Sequence, residues 1–152
     1  MTKPILKAAA LAFAVFGLIA VPAIAQEEGA IKHRQTVMKS IGGHMGAMAG
    51  ILKGQANYPD GLKIHSRAIA DLAKVAAYLF PKGSDFGETQ AKEEIWSKPE
   101  DFKKVVQVFQ VESAKLAKIA EGGDIKAFEA QMKAMGTDAC GACHKTFREK
   151  KK

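Results

Sequence analysis

Apolar residues recur along the body of the chain at alternating steps of three and four. From Ile31 they run through Met38, Ile41, Met45, Met48 and Leu52, with Arg34 in the one remaining slot. That spacing is the inward stripe of a bundle helix. Gly54 and Asn57-Tyr58-Pro59 close it, and Asp60 stands where an N-cap would open a second helix. The second stripe reads Leu62, His65, Ile69, Leu72, Ala76 and Leu79, and Pro81 with Gly83 stops it. A third helix is expected to begin with Pro99 in its first turn and to show Phe102, Val105, Val106, Phe109, Leu116 and Ala120. Gly122-Gly123 ends it. Asp124 caps a fourth, whose stripe is Ile125, Phe128, Met132, Met135, Ala139, Cys143 and Phe147. No segment shows strand alternation, so the expected fold class is all-α, an antiparallel four-helix bundle. The connection from Pro81 to Pro99 is long for a bundle loop. It is expected to cross one end of the bundle, with Trp96 covering the core there.

The first 25 residues follow a different pattern. Lys3 and Lys7 precede an apolar run from Ala8 to Ala20, and Ala23-Ile24-Ala25 gives a small-x-small cleavage pattern before Gln26. The run is short for a membrane span. Residues 1–25 therefore read as a secretory signal and residues 26–152 as one domain, with an uncleaved anchor as the alternative. Removing 25 residues from 152 leaves 127, and losing Lys3 and Lys7 lowers the formal charge from +7 to +5. Much of that surplus sits in Lys145, Arg148, Lys150, Lys151 and Lys152. Export argues against nucleic acid as the partner, and no stretch interleaves aromatic with basic residues. A basic end that steers an acidic protein partner remains, beside a simply solvated helix end.

The two cysteines carry the chemistry. Cys140-Gly141-Ala142-Cys143-His144 is the attachment pattern of a c-type haem: each thiol adds across one porphyrin vinyl group, and the adjacent imidazole reaches the iron as proximal ligand. On a helix the three residues stand at i, i+3 and i+4, on one face. The rival readings are a disulfide, a zinc site and a redox dithiol. A redox dithiol should open a helix in a βαβ unit, and no strand pattern surrounds this one. Zinc would want further ligands at a recognisable spacing. One haem c per chain, covalently bound, is the expectation, and it agrees with export.

A signal segment, four amphipathic helices and a C-terminal Cys-x-x-Cys-His-x-x-Phe-Arg together resemble the class II cytochromes c, that is, cytochrome c′ and its low-spin c-556 relatives. Arg34-Gln35 on the first helix and Glu94-Ile95-Trp96 before the third belong to the same resemblance, which covers essentially the whole mature chain. It implies thioethers at Cys140 and Cys143, His144 as proximal ligand, Arg148 near the proximal face, and Arg34 and Gln35 near the haem propionates. Arg34 also has a physical argument of its own. A cation on an apolar stripe is costly unless it meets an anion or snorkels out. The family's distal position falls on Met38, four residues after Arg34. That thioether is either the sixth ligand or core filling like Met45, Met48, Met132 and Met135.

Two functions follow from the resemblance. One is a periplasmic, soluble one-electron carrier with a His144/Met38-ligated low-spin haem and an acidic redox partner. The other is a high-spin, five-coordinate protein that binds NO or CO. A haem-free helical bundle is the distant third. The family also implies a possible homodimer through the first two helices. No nucleophile–base pair, phosphate loop or converging carboxylates suggest an enzyme. His65 reads as a stripe histidine, His33 and His44 as solvent-facing, and Tyr58 and Trp96 as packing.

Overall fold

The computed structural model describes residues 23–58 and 60–150. Most of the expected signal segment, residues 1–22, lies outside the described residues, as do Lys151 and Lys152. The elements are α1 (Ala23–Leu52), α2 (Gly61–Lys74), a 3₁₀ turn (Ala76–Leu79), α3 (Glu94–Ser97), α4 (Pro99–Gly122), α5 (Ile125–Ala134), a π-helical stretch (Met135–Gly141) and α6 (Ala142–Phe147). The last three run on without a break, so α1, α2, α4 and this composite C-terminal helix form the four-helix bundle. Among the described residues there is no strand, and no helix is long and apolar enough to cross a membrane.

The stripes become the core. Ile41 and Met48, joined by Val37, which the stripe did not include, meet Leu62 and Ile69 of α2, Leu116 and Ala120 of α4, and Phe128, Met135 and Ala139 of the C-terminal helix. The element ends obey local chemistry in most places. Asp124 accepts the Ala127 N–H at 3.0 Å and caps α5, Pro99 opens α4, and Gly123 ends it with a left-handed φ of 72°. Asp60 departs from expectation. It holds the N-cap position in helical geometry, but its side chain makes no cap bond. Two apolar assignments also fail: Ile125 is half exposed and Tyr58 points largely to solvent. Both flank turns, where the chain leaves the packed seam.

Sequence periodicity did not reveal the π stretch, yet it was written there. Met135, Ala139, Cys143 and Phe147 are separated by three successive steps of four. An α-helix completes a turn in 3.6 residues, so each such step drifts by about 40°. Widening the turns over Met135–Gly141 absorbs part of that drift and keeps Cys140 and Cys143 on the inner side. Gly141 permits it: a Cβ there would stand 3.2 Å from the Gly136 carbonyl oxygen.

The connection between α2 and α4 is held at both ends of its path. Arg34, only 4% exposed, donates from Nη1 to Leu79 O (3.3 Å) and Ser84 Oγ (2.9 Å), and from Nη2 to Ser84 O (2.9 Å) and Thr89 Oγ1 (2.7 Å). Its guanidinium also lies 4.9 Å from the Phe80 ring centroid. The cation does not snorkel, and it meets neutral oxygens of the connection where the stripe argument had asked for an anion. Further on, Lys92 N–H bonds Phe147 O (3.0 Å) and Glu149 N–H bonds Gln90 O (2.8 Å), pinning the connection to the end of α6. Trp96 does cover the core as expected. Its indole N–H donates to Phe80 O and Pro81 O, and an edge-to-face series Trp96, Phe80, Phe102, Phe147 follows at centroid spacings of 6.4, 4.9 and 5.3 Å.

Replacing Arg34 by Met keeps the stem and removes the fork, leaving Ser84 and the Leu79 carbonyl without their donor. A urea titration should show a loss of about 2–4 kcal/mol. A change below about 0.5 kcal/mol, as at an ordinary surface site, would contradict this account of the connection.

Candidate functional site

Between α1 and the C-terminal helix the bundle stays open. α1 packs on α2 and the 3₁₀ turn, and a cavity of about 880 Å³ separates it from α6. Each wall has a simple origin. α1 contributes Arg34, Met38 and Met45 from its stripe and Gln35 beside it, α4 contributes Phe102, Val106 and Phe109, and the C-terminal helix with its cap contributes Cys140, Cys143, His144 and Arg148. All seven residues singled out by sequence thus line one space. The rest of the lining is mostly apolar, and the connection's Gly87 to Ala91 form its rim.

Both thiols are free and half-buried. Burial raises the Cys140 thiol above its ordinary range. Burial, together with Cys140 as a like-charged neighbour, pushes Cys143 up to about 11 against a smaller opposing pull from Arg148. Both sulfurs are therefore protonated at neutral pH, the form that adds as S–H across a vinyl group. His144 is shifted down, first by burial and then by the positive charge of Arg148. Its imidazole is neutral and free to offer a nitrogen lone pair to a metal. Two thiols, a neutral imidazole and an apolar cavity of this size fit a covalently attached haem c; among the described residues no group of three or more His, Cys, Asp or Glu side chains is arranged to hold a bare metal ion.

Arg148 and Gln35 sit at the mouth. Arg148 follows α6 in extended conformation, its N–H on His144 O at 3.2 Å and its side chain exposed beside the cavity. Gln35 donates to Glu88 O at 2.6 Å and so fastens α1 to the rim. Sequence reasoning missed Ser84 and Thr89, the acceptors for Arg34, and Lys39, which also lines the cavity. Arg34 on an apolar stripe signalled that acceptors must exist, but nothing in the pattern located them 50 and 55 residues away. His44 is the other correction. It turns toward α2, where its Nδ1 lies 2.9 Å from that of His65, while His33 is exposed as expected.

Comparison with known proteins agrees with this geometry. The family model described as Cytochrome C' matches residues 29–148. Cytochrome c-556 of Agrobacterium tumefaciens (strain II Chrys) is 38% identical over 125 residues, covering 81% of this chain and 99% of its own. The nitric oxide complex of a cytochrome c prime variant from Alcaligenes xylosoxidans superposes with a TM-score of 0.74 at 33% identity, covering 82% and 97% of the two chains. A cytochrome c′ with an unusual ligand-controlled dimer dissociation gives 0.76 at 28% identity, over 82% and 97%. The chain belongs to the cytochrome c′ family, the class II cytochromes c, whose members are helical-bundle electron-transport proteins with covalently attached haem c.

Proposed function

We propose that this family member is an exported, soluble one-electron carrier, with Cys140 and Cys143 as thioethers, His144 as proximal and Met38 as distal ligand. Residues 1–25 act as the signal that delivers residues 26–152 to the periplasm, and the mature chain is free of the membrane. The observation that carries the reading is the thioether of Met38, half-buried on the α1 wall of the cavity into which His144 opens from the other side. Haem c, once attached, supplies a one-electron Fe(III)/Fe(II) couple, which His/Met ligation sets at a raised potential. The protein's part is to hold both ligand-bearing helices in place. Arg34 and Gln35 fix α1 to the rim, and the bridge to Gln90 and Lys92 fixes the end of α6, so little need move between redox states. Arg34, Gln35 and Arg148 are the polar groups nearest the haem carboxylates in this reading. The exposed Lys145, Arg148 and Lys150 form a basic docking end for an acidic partner protein.

The alternative is a five-coordinate protein that binds NO or CO. Its support is the nitric oxide complex of the Alcaligenes xylosoxidans relative, together with apolar walls broad enough to leave room beside Met38. In that case Met38 remains part of the wall, with Met45 two turns further along the same helix.

The optical spectrum of the haem-loaded protein separates the two. A sharp low-spin spectrum, insensitive to CO, is expected, and Met38→Leu should convert it to a broad high-spin form that takes up CO. An identical spectrum in wild type and variant would remove Met38 from the ligand set.

Docking should also respond to salt. With hexacyanoferrate as an anionic probe, the electron-transfer rate should fall by roughly tenfold between low and high ionic strength. The double variant Lys145→Gln/Lys150→Gln should flatten that dependence, and equal slopes for both proteins would rule out the basic end as the docking surface.

A further inference from the structure

The pair His44 and His65 lies outside the haem site and has no part in the function above. The two residues come from different helices, 21 positions apart, and their Nδ1 atoms are 2.9 Å apart. The rings are not stacked: the planes meet at 44° with centroids 5.1 Å apart. Two features make this a built arrangement. His44 is bracketed on α1 by Ile41 and Met48, and His65 on α2 by Leu62 and Ile69, all buried. Neither histidine has a charged residue at three or four positions either way along its helix, so no carboxylate on its own helix orients either ring. What each ring faces is the other's nitrogen.

We propose that His44 and His65 form a bidentate site for a divalent transition-metal ion of the copper(II) class, clamping α1 to α2. Imidazole nitrogens bind such ions at about 2.0–2.1 Å, so two cis ligands at a right angle stand about 2.9 Å apart, and two tetrahedral ones about 3.3 Å. In the metal-free chain the 2.9 Å contact is a hydrogen bond between the two Nδ1 atoms, and the same spacing equals the right-angle separation that tetragonal copper(II) and nickel(II) need, so the ion takes the place of the shared proton, which moves to Nε2 of its own ring. Water completes the coordination on the outer side, since both rings are only half-buried. Because the flanking core residues hold both helices, the two nitrogens act as a chelate, and the second bond forms with little further loss of freedom. An ion bound there stabilises the folded chain by mass action without touching the haem.

The test uses the ferric, haem-loaded protein titrated with Cu²⁺ alone at neutral pH. One equivalent should bind per chain, with a tetragonal EPR signal whose pulsed spectrum counts two imidazoles, a raised Tm and an unchanged Soret band. His44→Gln and His65→Gln should each weaken binding by about 100-fold and abolish the Tm rise, whereas His33→Gln should change neither. Retained affinity in either single variant would overturn the proposal, because the ion would then sit elsewhere, for example on the N-terminal amine. A pulsed spectrum of the wild-type protein that counts one imidazole or none would overturn it as well, whether or not the variants fold.

Discussion

The guanidinium of Arg34 is the constraint on which the cavity depends. A bundle with continuous apolar stripes on four helices would be expected to close on itself, since each element gains by burying its stripe. Here α1 and the C-terminal helix stay apart. They communicate through a relay: Arg34 grips Ser84 and Thr89, and the same connection, over the next three residues, pairs its backbone with residues 147–149. The separation is thus set by hydrogen bonds along the rim, and the interior between the two walls is left for something other than side chains. Burial lowers the proton affinity of Arg34, yet every terminal N–H has an acceptor. A buried cation satisfied in this way fixes geometry more than it adds stability.

How much of this was legible depends on the range of each signal. Helix stripes, the cap at Asp124 and the stop at Gly123 are local patterns, set by residues within a turn or two of one another, and the structure reproduces them; the Cys-x-x-Cys-His motif is equally local in the sequence. Long-range partnerships were not legible. Arg34 announced a need without naming Ser84, and His44 looked solvent-facing because nothing on α1 reveals which residue of α2 it will meet. Tyr58 and Ile125 were read as apolar and therefore inside. Their exposure follows from position beside turns, where alternation no longer tracks a packed face.

The π-helical stretch belongs between these cases. Steps of four in succession are visible in the sequence and look like an ordinary stripe. The drift they imply had to be absorbed somewhere, and Gly136 and Gly141 mark the place where the wider turn is sterically cheap. This matters for the site because the thiols straddle the end of that stretch. Cys140 lies within the π turns, while Cys143 and His144 lie on regular α-helix, and all three still line one cavity. A strict α-helix from Met135 onward would rotate the later ligands away from the wall that the earlier ones define.

The same physics explains why family membership does not by itself decide between carrying electrons and binding gas. In the proposed site the proximal half would be held by the two thioether sulfurs and by an imidazole kept neutral by burial and by Arg148. The distal half, in the same proposal, would rest on one flexible thioether in an apolar wall, that of Met38. Methionine has three rotatable bonds and packs as readily as it ligates, so its preference is a small difference between two similar energies. Small changes in the separation of α1 from α6 shift that balance, and Arg34 with its partners on the rim sets that separation. Under the proposed ligation, Ser84 and Thr89, which hold Arg34 on the rim, would bear on that choice as much as Met38 itself.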